Sequence, residues 1–263
     1  MLGVIPYKKG NFGQMIPLSK AKLGVFAALH ERKYRYKHRL FIVEGEKMVQ
    51  EALASGFAIE AIVVREGYAF SFAAYDAPCY EAAEKAFAQL CSLSSPEGVL
   101  AVVAFPHEHF LRMDALPVGG GFLLENLQDP GNVGTILRIA DWFGLQYVIC
   151  SKGTADVLNA KTLRACMGAI FRVKIVYADD FATLLPALAA KDSVWVADME
   201  GDSLAAASLR ATDWVLLGNE ANGVSAETRS ATALRRVTIP RIGGAESLNV
   251  GIAAGIFAYQ MNL

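Results

Sequence analysis

Short apolar runs bounded by Gly, Pro and polar residues alternate along this chain with stretches of helical spacing. Ser19 stands where it would cap a helix from Lys20 to about Arg35. Leu40 to Val43 reads as a short strand ending at Glu44 and Gly45, and Glu46 to Ala54 as a helix closed by Gly56. Ala58 to Val64 and Pro78 to Tyr80 read as strands, Ala82 to Cys91 as a helix, and Gly98 to Phe105 (GVLAVVAF) as a fully apolar strand. This alternation predicts a small α/β domain over 19–105. Residues 1–18, with Pro6, Gly10, Gly13 and Pro17, read as an irregular, flexible N-terminus in which Met15 is a second candidate start. Residues 106–120, with Pro117, Gly119 and Gly120, break the pattern and read as a linker.

A second alternation begins at Gly121. It predicts strands at 122–125, 146–150, 173–176, 193–197, 214–218 and 236–239, with helices at 131–143, about 158–168, 180–190, 225–233 and 247–260. Such an order gives a mostly parallel sheet covered on both faces, in a domain spanning 121–263. The last helix (Val250, Gly251, Ile252, Ala253, Ala254, Gly255, Ile256) is small and apolar on nearly every side, so it should be buried against the sheet or another subunit. Ser247, Leu248 and Asn249 are expected in its first turn. Polar groups at the mouth of a buried helix are costly unless they are used. Three segments share one design, an apolar strand followed by a Gly/Asn-rich turn and a helix start: 121–145, 214–225 and 239–260. In open α/β sheets ligands sit at such strand ends.

The composition, 54% hydrophobic and 19% charged, is that of a chain with a real core. No apolar run approaches the roughly 20 residues that cross a bilayer, and the N-terminus lacks the order of a signal peptide. Cys79, Cys91, Cys150 and Cys166 form no C-x-x-C pair and read as reduced thiols of a cytoplasmic protein. The net charge of −1 argues against a nucleic-acid binder, but its distribution does not. Ten Lys or Arg stand against three Glu between Lys8 and Lys47, whereas 121–263 holds twelve basic and fourteen acidic residues. The segment from His30 to Arg39 interleaves Tyr34 and Tyr36 with Lys33, Arg35, Lys37 and Arg39. Cations for phosphates and rings for bases make an RNA-binding composition; a solvated basic helix end has the same one.

Asp129, Pro130 and Gly131 read as a helix entry before Asn132. Arg138, among apolar neighbours, is either a functional cation or a helix-edge Arg paired with Asp141 or Glu125. Glu220, between Asn219 and the pair Asn222-Gly223, suits a polar ligand, though a plain strand-to-helix turn uses similar residues. Dinucleotide and P-loop fingerprints are absent, no metal-ligand pattern is found, and His107 and His109 read as surface residues.

Three motifs occur in order: N-x-G-x-x-x-R at 132–138, L-G-N-E-x-x-G at 217–223 and I-P-x-x-G-x-x-x-S-L-N-V at 239–250. Over 121–263 the chain therefore resembles the SpoU/TrmH family of RNA ribose 2′-O-methyltransferases, of the SPOUT class. The start, through FIVEG at 41–45, SPEG at 95–98 and VLAVV at 99–103, resembles that family's substrate-binding domain, which is similar to the L30e/L7Ae-type fold. The resemblance implies a SPOUT-type parallel sheet with a trefoil knot, plus a smaller N-terminal α/β RNA-binding domain. It implies S-adenosylmethionine as cofactor, held by Leu217, Gly218, Ile239, Leu248 and Asn249. It further implies a homodimer through the C-terminal knot, with an active site that the partner subunit can complete. Arg138 would act on the ribose hydroxyl, with Asn132, Glu220, Ser247 and Asn249 completing the site and no metal. Ribosomal RNA is the favoured substrate. Transfer RNA, and a catalytically silent RNA-binding paralogue, are the alternatives within the family. An α/β enzyme unrelated to RNA is the alternative outside it. The chain departs from the family at Arg241, where Met is common, at Ala221-Asn222, and at Gly251, where Ser is common; none of these removes a proposed catalytic group.

Overall fold

The computed structural model describes residues 15–70, 77–105, 110–111, 119–178, 181–230 and 234–263. His107, His109, residues 1–14, most of the expected linker and the end of the expected helix at 225–233 lie outside the described residues. The chain divides into two compact units, with the boundary after Pro106.

In the first unit a five-stranded sheet runs in the order β1-β4-β3-β5-β2. β1 is Ile16–Pro17, β2 Leu40–Glu44, β3 Ile59–Arg65, β4 Cys79–Ala82 and β5 Val99–Ala104. β5 lies antiparallel between β2 and β3, and β1 extends the far edge parallel to β4. Ile16 and Pro17, placed by sequence in a flexible terminus, are thus strand residues. Val99 to Val103 are all buried, which explains why β5 reads as an unbroken apolar run. Phe26, Leu29, Phe87 and Leu90 pack from the helices onto Ala61, Val63, Leu100 and Val102.

The expected helix from Lys20 to Arg35 is two helices, α1 (Lys20–Ala28) and α2 (Arg32–His38). The break is held by Arg35, whose guanidinium turns back and donates to the carbonyls of Leu29 (2.8 Å) and His30 (2.7 Å). A helix end leaves its last carbonyls without intrahelical partners, and here a cation takes them. α3 (Glu46–Ala54) runs as expected, and α4 is shorter than expected, Glu84–Ala88.

The second unit is a seven-stranded sheet, order β12-β10-β11-β7-β8-β9-β6, parallel at every pairing. Its strands are β6 (Phe110–Leu111), β7 (Gly121–Leu124), β8 (Tyr147–Ser151), β9 (Lys174–Ala178), β10 (Val194–Ser203), β11 (Trp214–Leu217) and β12 (Arg235–Thr238). β6 falls within the stretch read as linker. The helices are α5 (Pro130–Trp142), α6 (Ala160–Cys166), α7 (Phe181–Ala189), α8 (Ala226–Arg229) and α9 (Val250–Met261). α7 packs Phe181, Leu184, Leu185 and Leu188 onto Leu123, Ile149, Val176 and Leu216 of the sheet. α5 buries Val133, Ile136, Leu137 and Ala140 and packs against α6 and α9.

From β7 the chain winds outward through β8 and β9, whereas β10, β11 and β12 lie on the other side. The strand order therefore reverses between β7 and β11, and their carboxyl ends form the switch-point crevice of an open α/β sheet. Two boundaries differ here from the sequence expectation. β10 continues to Ser203 because Ala197 and Asp202 both oppose Val237, so residues 198–201 bulge out of the ladder. α9 begins at Val250, so Ser247 and Leu248 precede the helix and Asn249 caps it. That helix is covered on one side only: Ala254, Phe257, Ala258 and Met261 are buried, whereas Ile252 and Tyr259 are 59% and 58% exposed.

Candidate active site

The crevice is built by three turns that follow β7, β11 and β12. After β7, Asp129 caps α5 by accepting the Asn132 N–H (2.9 Å), and Pro130 occupies the first helical position, where no N–H is missed. Gly134, one turn on, lets α6 approach. A Cβ there would lie 2.5 Å from the Thr162 carbonyl oxygen and 2.6 Å from the Ala165 Cβ.

After β11, Gly218 opens a turn that folds back tightly. A Cβ at Gly218 would stand 2.3 Å from the backbone of Gly223. Asn219 and Gly223 exchange backbone hydrogen bonds of 2.9 and 2.8 Å, and the Asn219 carboxamide accepts from the N–H groups of Ala221 and Asn222 while donating to the Asn126 carbonyl. The foot of the turn is clamped by Glu125, the residue that follows β7. Its buried carboxylate accepts from the Ser225 N–H (3.0 Å), the Ser225 hydroxyl (2.7 Å) and the Thr228 hydroxyl (2.7 Å).

The three motifs meet in a single line of side chains. The Glu220 carboxylate accepts from the Asn132 carboxamide (3.0 Å) and from the N–H groups of Gln128 and Asp129 (3.4 Å each). Asn132 in turn accepts from the Asn249 carboxamide (3.0 Å), and the Asn249 oxygen accepts from the N–H groups of Gly251 (2.9 Å) and Ile252 (3.3 Å). The direction of this line is fixed at both ends, by a carboxylate that can only accept and by a helix start that can only donate. Burial pushes the Glu220 carboxyl up, but the Asn132 bond and the backbone N–H groups outweigh it and leave it below its ordinary value. Asp129 is also lowered, first by its bond to Lys161 (2.6 Å) and then by the Asn132 N–H.

Arg138 projects from α5 into solvent and forms no ion pair among the described residues. The edge salt bridge weighed from sequence does not form: Asp141 pairs with Arg172 (2.9 Å) and Glu125 serves the clamp. Leu217 is buried, Gly218 and Ile239 are half-buried, and Leu248 is 51% exposed on the loop before α9. Ser247 lies on that loop, exposed and outside the hydrogen-bonded line. On the first unit Lys33, Lys37 and Arg39 are exposed. Arg35, counted with them from sequence, is buried at 5% exposure and engaged with backbone carbonyls, so it leaves the RNA-facing set. Tyr36 packs edge-on against Phe105, whereas Tyr34 stacks with His38.

Sequence reasoning missed Glu125 as a site residue, although an acid closing an apolar strand is the signal that singled out Glu220. It also missed the bulge at 198–201 of β10, the strand that pairs with β11. A change of register leaves no mark in residue type. All four cysteines are free thiols, with Cys150 and Cys166 buried. No helix among the described residues is long and apolar enough to cross a membrane.

A parallel sheet with tight backbone loops at its switch point is where open α/β folds bind their ligands. The chain belongs to the SpoU rRNA methylase family, whose model matches residues 121–259, and residues 22–101 match the MRM3-like substrate-binding domain. It is 33% identical over 248 residues to the 23S rRNA (guanosine(2553)-2′-O)-methyltransferase RlmP of Bacillus subtilis, covering 89% of this chain and 92% of that protein. Among solved structures, a TrmH-family protein from Porphyromonas gingivalis superposes with a TM-score of 0.81 at 35% identity, over 93% of this chain and 98% of the other. An rRNA methyltransferase from Sinorhizobium meliloti, described with AdoMet bound, gives 0.76 at 26% identity over 94% and 96%.

Proposed function

We propose that this chain methylates a ribose 2′-hydroxyl of ribosomal RNA with S-adenosylmethionine as donor. The observation that carries the reading is the line Glu220–Asn132–Asn249, which ties all three motif segments to one crevice. The residues fit the cofactor: the Gly218 turn is too tight for any side chain, and Leu248 presents an apolar surface with nothing over half of it. Leu217, Gly218, Ile239, Leu248 and the Asn249 segment would hold it, largely through backbone groups. When bound, it supplies a methyl group activated on a sulfonium.

The chain's own part is to orient and to stabilise charge. Holding the hydroxyl in line with the methyl group can contribute roughly 7–11 kcal/mol of barrier reduction. The Arg138 guanidinium acts on the hydroxyl by favouring the alkoxide that forms, while the hydroxyl proton leaves to a neighbouring RNA phosphate oxygen or to water. Asn132, Glu220 and Asn249 spend their hydrogen bonds on one another, which makes them positioning groups. Ser247, outside that line, is left to touch cofactor or ribose. Lys33, Lys37 and Arg39 of the substrate-binding unit meet RNA phosphates.

The exposed apolar residues Trp142, Ile252, Tyr259 and Leu263 support a homodimer formed through the C-terminal segment, whose partner completes the site. The knot expected of the family and a cytoplasmic location belong to the same reading.

The test is methyl transfer from labelled S-adenosylmethionine to bulk RNA. The wild-type chain should label ribosomal and not transfer RNA. Arg138→Ala should lose at least about 100-fold in rate while calorimetric affinity for the cofactor holds. Turnover retained in that variant would remove Arg138 from the chemistry. RNA binding without transfer by the wild type would leave a silent RNA-binding paralogue.

A further inference from the structure

Two carboxylates share the mouth of the crevice. Glu220 accepts the backbone N–H of Asp129, and the Asp129 side chain accepts the N–H of Asn132, the residue that donates to Glu220. Both carboxyls lie below their ordinary values, Asp129 first through its bond to Lys161 and then the Asn132 N–H, and Glu220 because the Asn132 and backbone N–H bonds outweigh its burial. Two fixed negative charges at this mouth oppose the approach of a polyanion such as the RNA of the proposed function.

Among the described residues, Lys161 is the cation that answers them. It is the second residue of α6 and reaches across the start of α5 to place its ammonium 2.6 Å from the Asp129 carboxylate. The side chain passes close over residue 131: a Cβ at Gly131 would lie 3.2 Å from the Lys161 Cε and 2.7 Å from the Asp129 carboxylate. The lysine side chain keeps 55% of its surface in solvent. An ammonium has three donors, so one bond to Asp129 leaves the solvent side able to take a second anion.

We propose that Lys161 is a substrate-binding residue of this site, which cancels the Asp129 charge and grips a backbone phosphate of the RNA strand beside the target ribose. The assignment rests on the RNA-methyltransferase reading above, and its test reads binding rather than turnover so that the two can fail separately. Fluorescence anisotropy would follow an in vitro ribosomal RNA transcript titrated with the full chain over a series of KCl concentrations. Lys161→Ala should weaken binding and reduce the slope of log K against log salt by roughly 0.7–0.9, the value of one lost phosphate contact. Affinity for S-adenosylmethionine should not move. Lys161→Gln, which keeps the stem and a hydrogen bond to Asp129, should show the same loss if the alanine variant folds poorly.

The double variant Asp129→Asn with Lys161→Ala separates the two halves of the proposal, because Asn still caps α5. Binding that stays weak supports the phosphate contact. Recovery of wild-type affinity and slope would mean that Lys161 only offsets Asp129, and would overturn it, as would an unchanged slope in Lys161→Gln. In steady state the effect should fall on KM for RNA; a loss confined to kcat would also overturn it. If the wild type transfers no methyl group yet shows the Lys161-dependent slope, the methyltransferase reading falls and the phosphate site stands.

Discussion

Two loops flank the crevice and are built in opposite ways. The turn from Gly218 to Val224 is laced at every stage: a two-way backbone ladder between Asn219 and Gly223, the Asn219 carboxamide, the Glu220 carboxylate and the Glu125 clamp below. The loop from Pro240 to Leu248 is exposed at each residue, leaves Ile242 wholly in solvent, and shows a single internal side-chain bond, Arg241 to the Ala245 carbonyl at 3.4 Å. Gly243 and Gly244 meet no atom that a Cβ would touch. One wall of the crevice is therefore held by its own hydrogen bonds, while the other has one such bond, so that fixing it on a ligand would draw on binding free energy. Under the proposed function, the laced wall would fix where the methyl group sits, and the bare one would let cofactor and RNA enter a cleft that must later exclude water.

The largest effect is expected at Gly218. Alanine there forces a Cβ into the Gly223 backbone, an overpacking that costs about 1–3 kcal/mol and spoils the turn proposed to hold the cofactor. Calorimetry should show S-adenosylmethionine affinity lost; full affinity would mean that the turn is not the wall that holds it. Glu125→Ala should come next. It leaves the Ser225 and Thr228 donors beneath the turn without their acceptor, at about 1–3 kcal/mol of stability in denaturant unfolding. Arg35→Ala makes the same kind of loss in the other unit, about 1.5–3 kcal/mol for bonds from a charged donor, where Lys33→Ala should change stability little and RNA affinity more.

These residues also mark how far the sequence reaches. The alternation of strands and helices was legible because strands buried on both faces, such as Gly121–Leu124 and Trp214–Leu217, read as unbroken apolar runs. The convergence of Asn132, Glu220 and Asn249 was legible through three motifs occurring in order and the resemblance they carry, whereas residue type alone left Glu220 open to a plain strand-to-helix turn. Composition could not tell which way a side chain turns, so Arg35 read like Lys33 although it caps a helix. It could not place Asn249 outside α9 either, since a cap and a first-turn residue look alike in an apolar helix. Nor could it show that α9 keeps Ile252 and Tyr259 exposed within one chain.

Asn249 joins the two loops, and its loss should be smaller and divided. Asn249→Ala removes the cap of α9, at about 1 kcal/mol, and releases the bond to Asn132. The laced turn would keep its other bonds, so S-adenosylmethionine should still bind while methyl transfer slows. Equal loss of both would show that the two walls form one cooperative unit. In the bare loop, Gly243→Ala and Gly244→Ala should each stay within about 0.5 kcal/mol in thermal unfolding, because neither position is crowded or strained.

The smallest effect is one of pH, and it separates the walls without altering either. Glu220 has its folded carboxyl held below its ordinary value of 4.5. A depressed carboxyl stabilises the folded form fully above that value and loses the contribution as pH falls through the lower, folded one. Protonation would leave the N–H groups of Gln128, Asp129 and Asn132 facing a weaker acceptor, so the laced turn should loosen below pH 4.5 while the bare loop, lacking such a group in its one bond, is unaffected. Amide hydrogen exchange at Gln128 and Asp129, followed downward from neutral pH and corrected for intrinsic rates, should rise across that interval. Glu220→Ala should show fast exchange at every pH. Protection that persisted in the alanine variant would mean that the backbone ladder alone holds the turn.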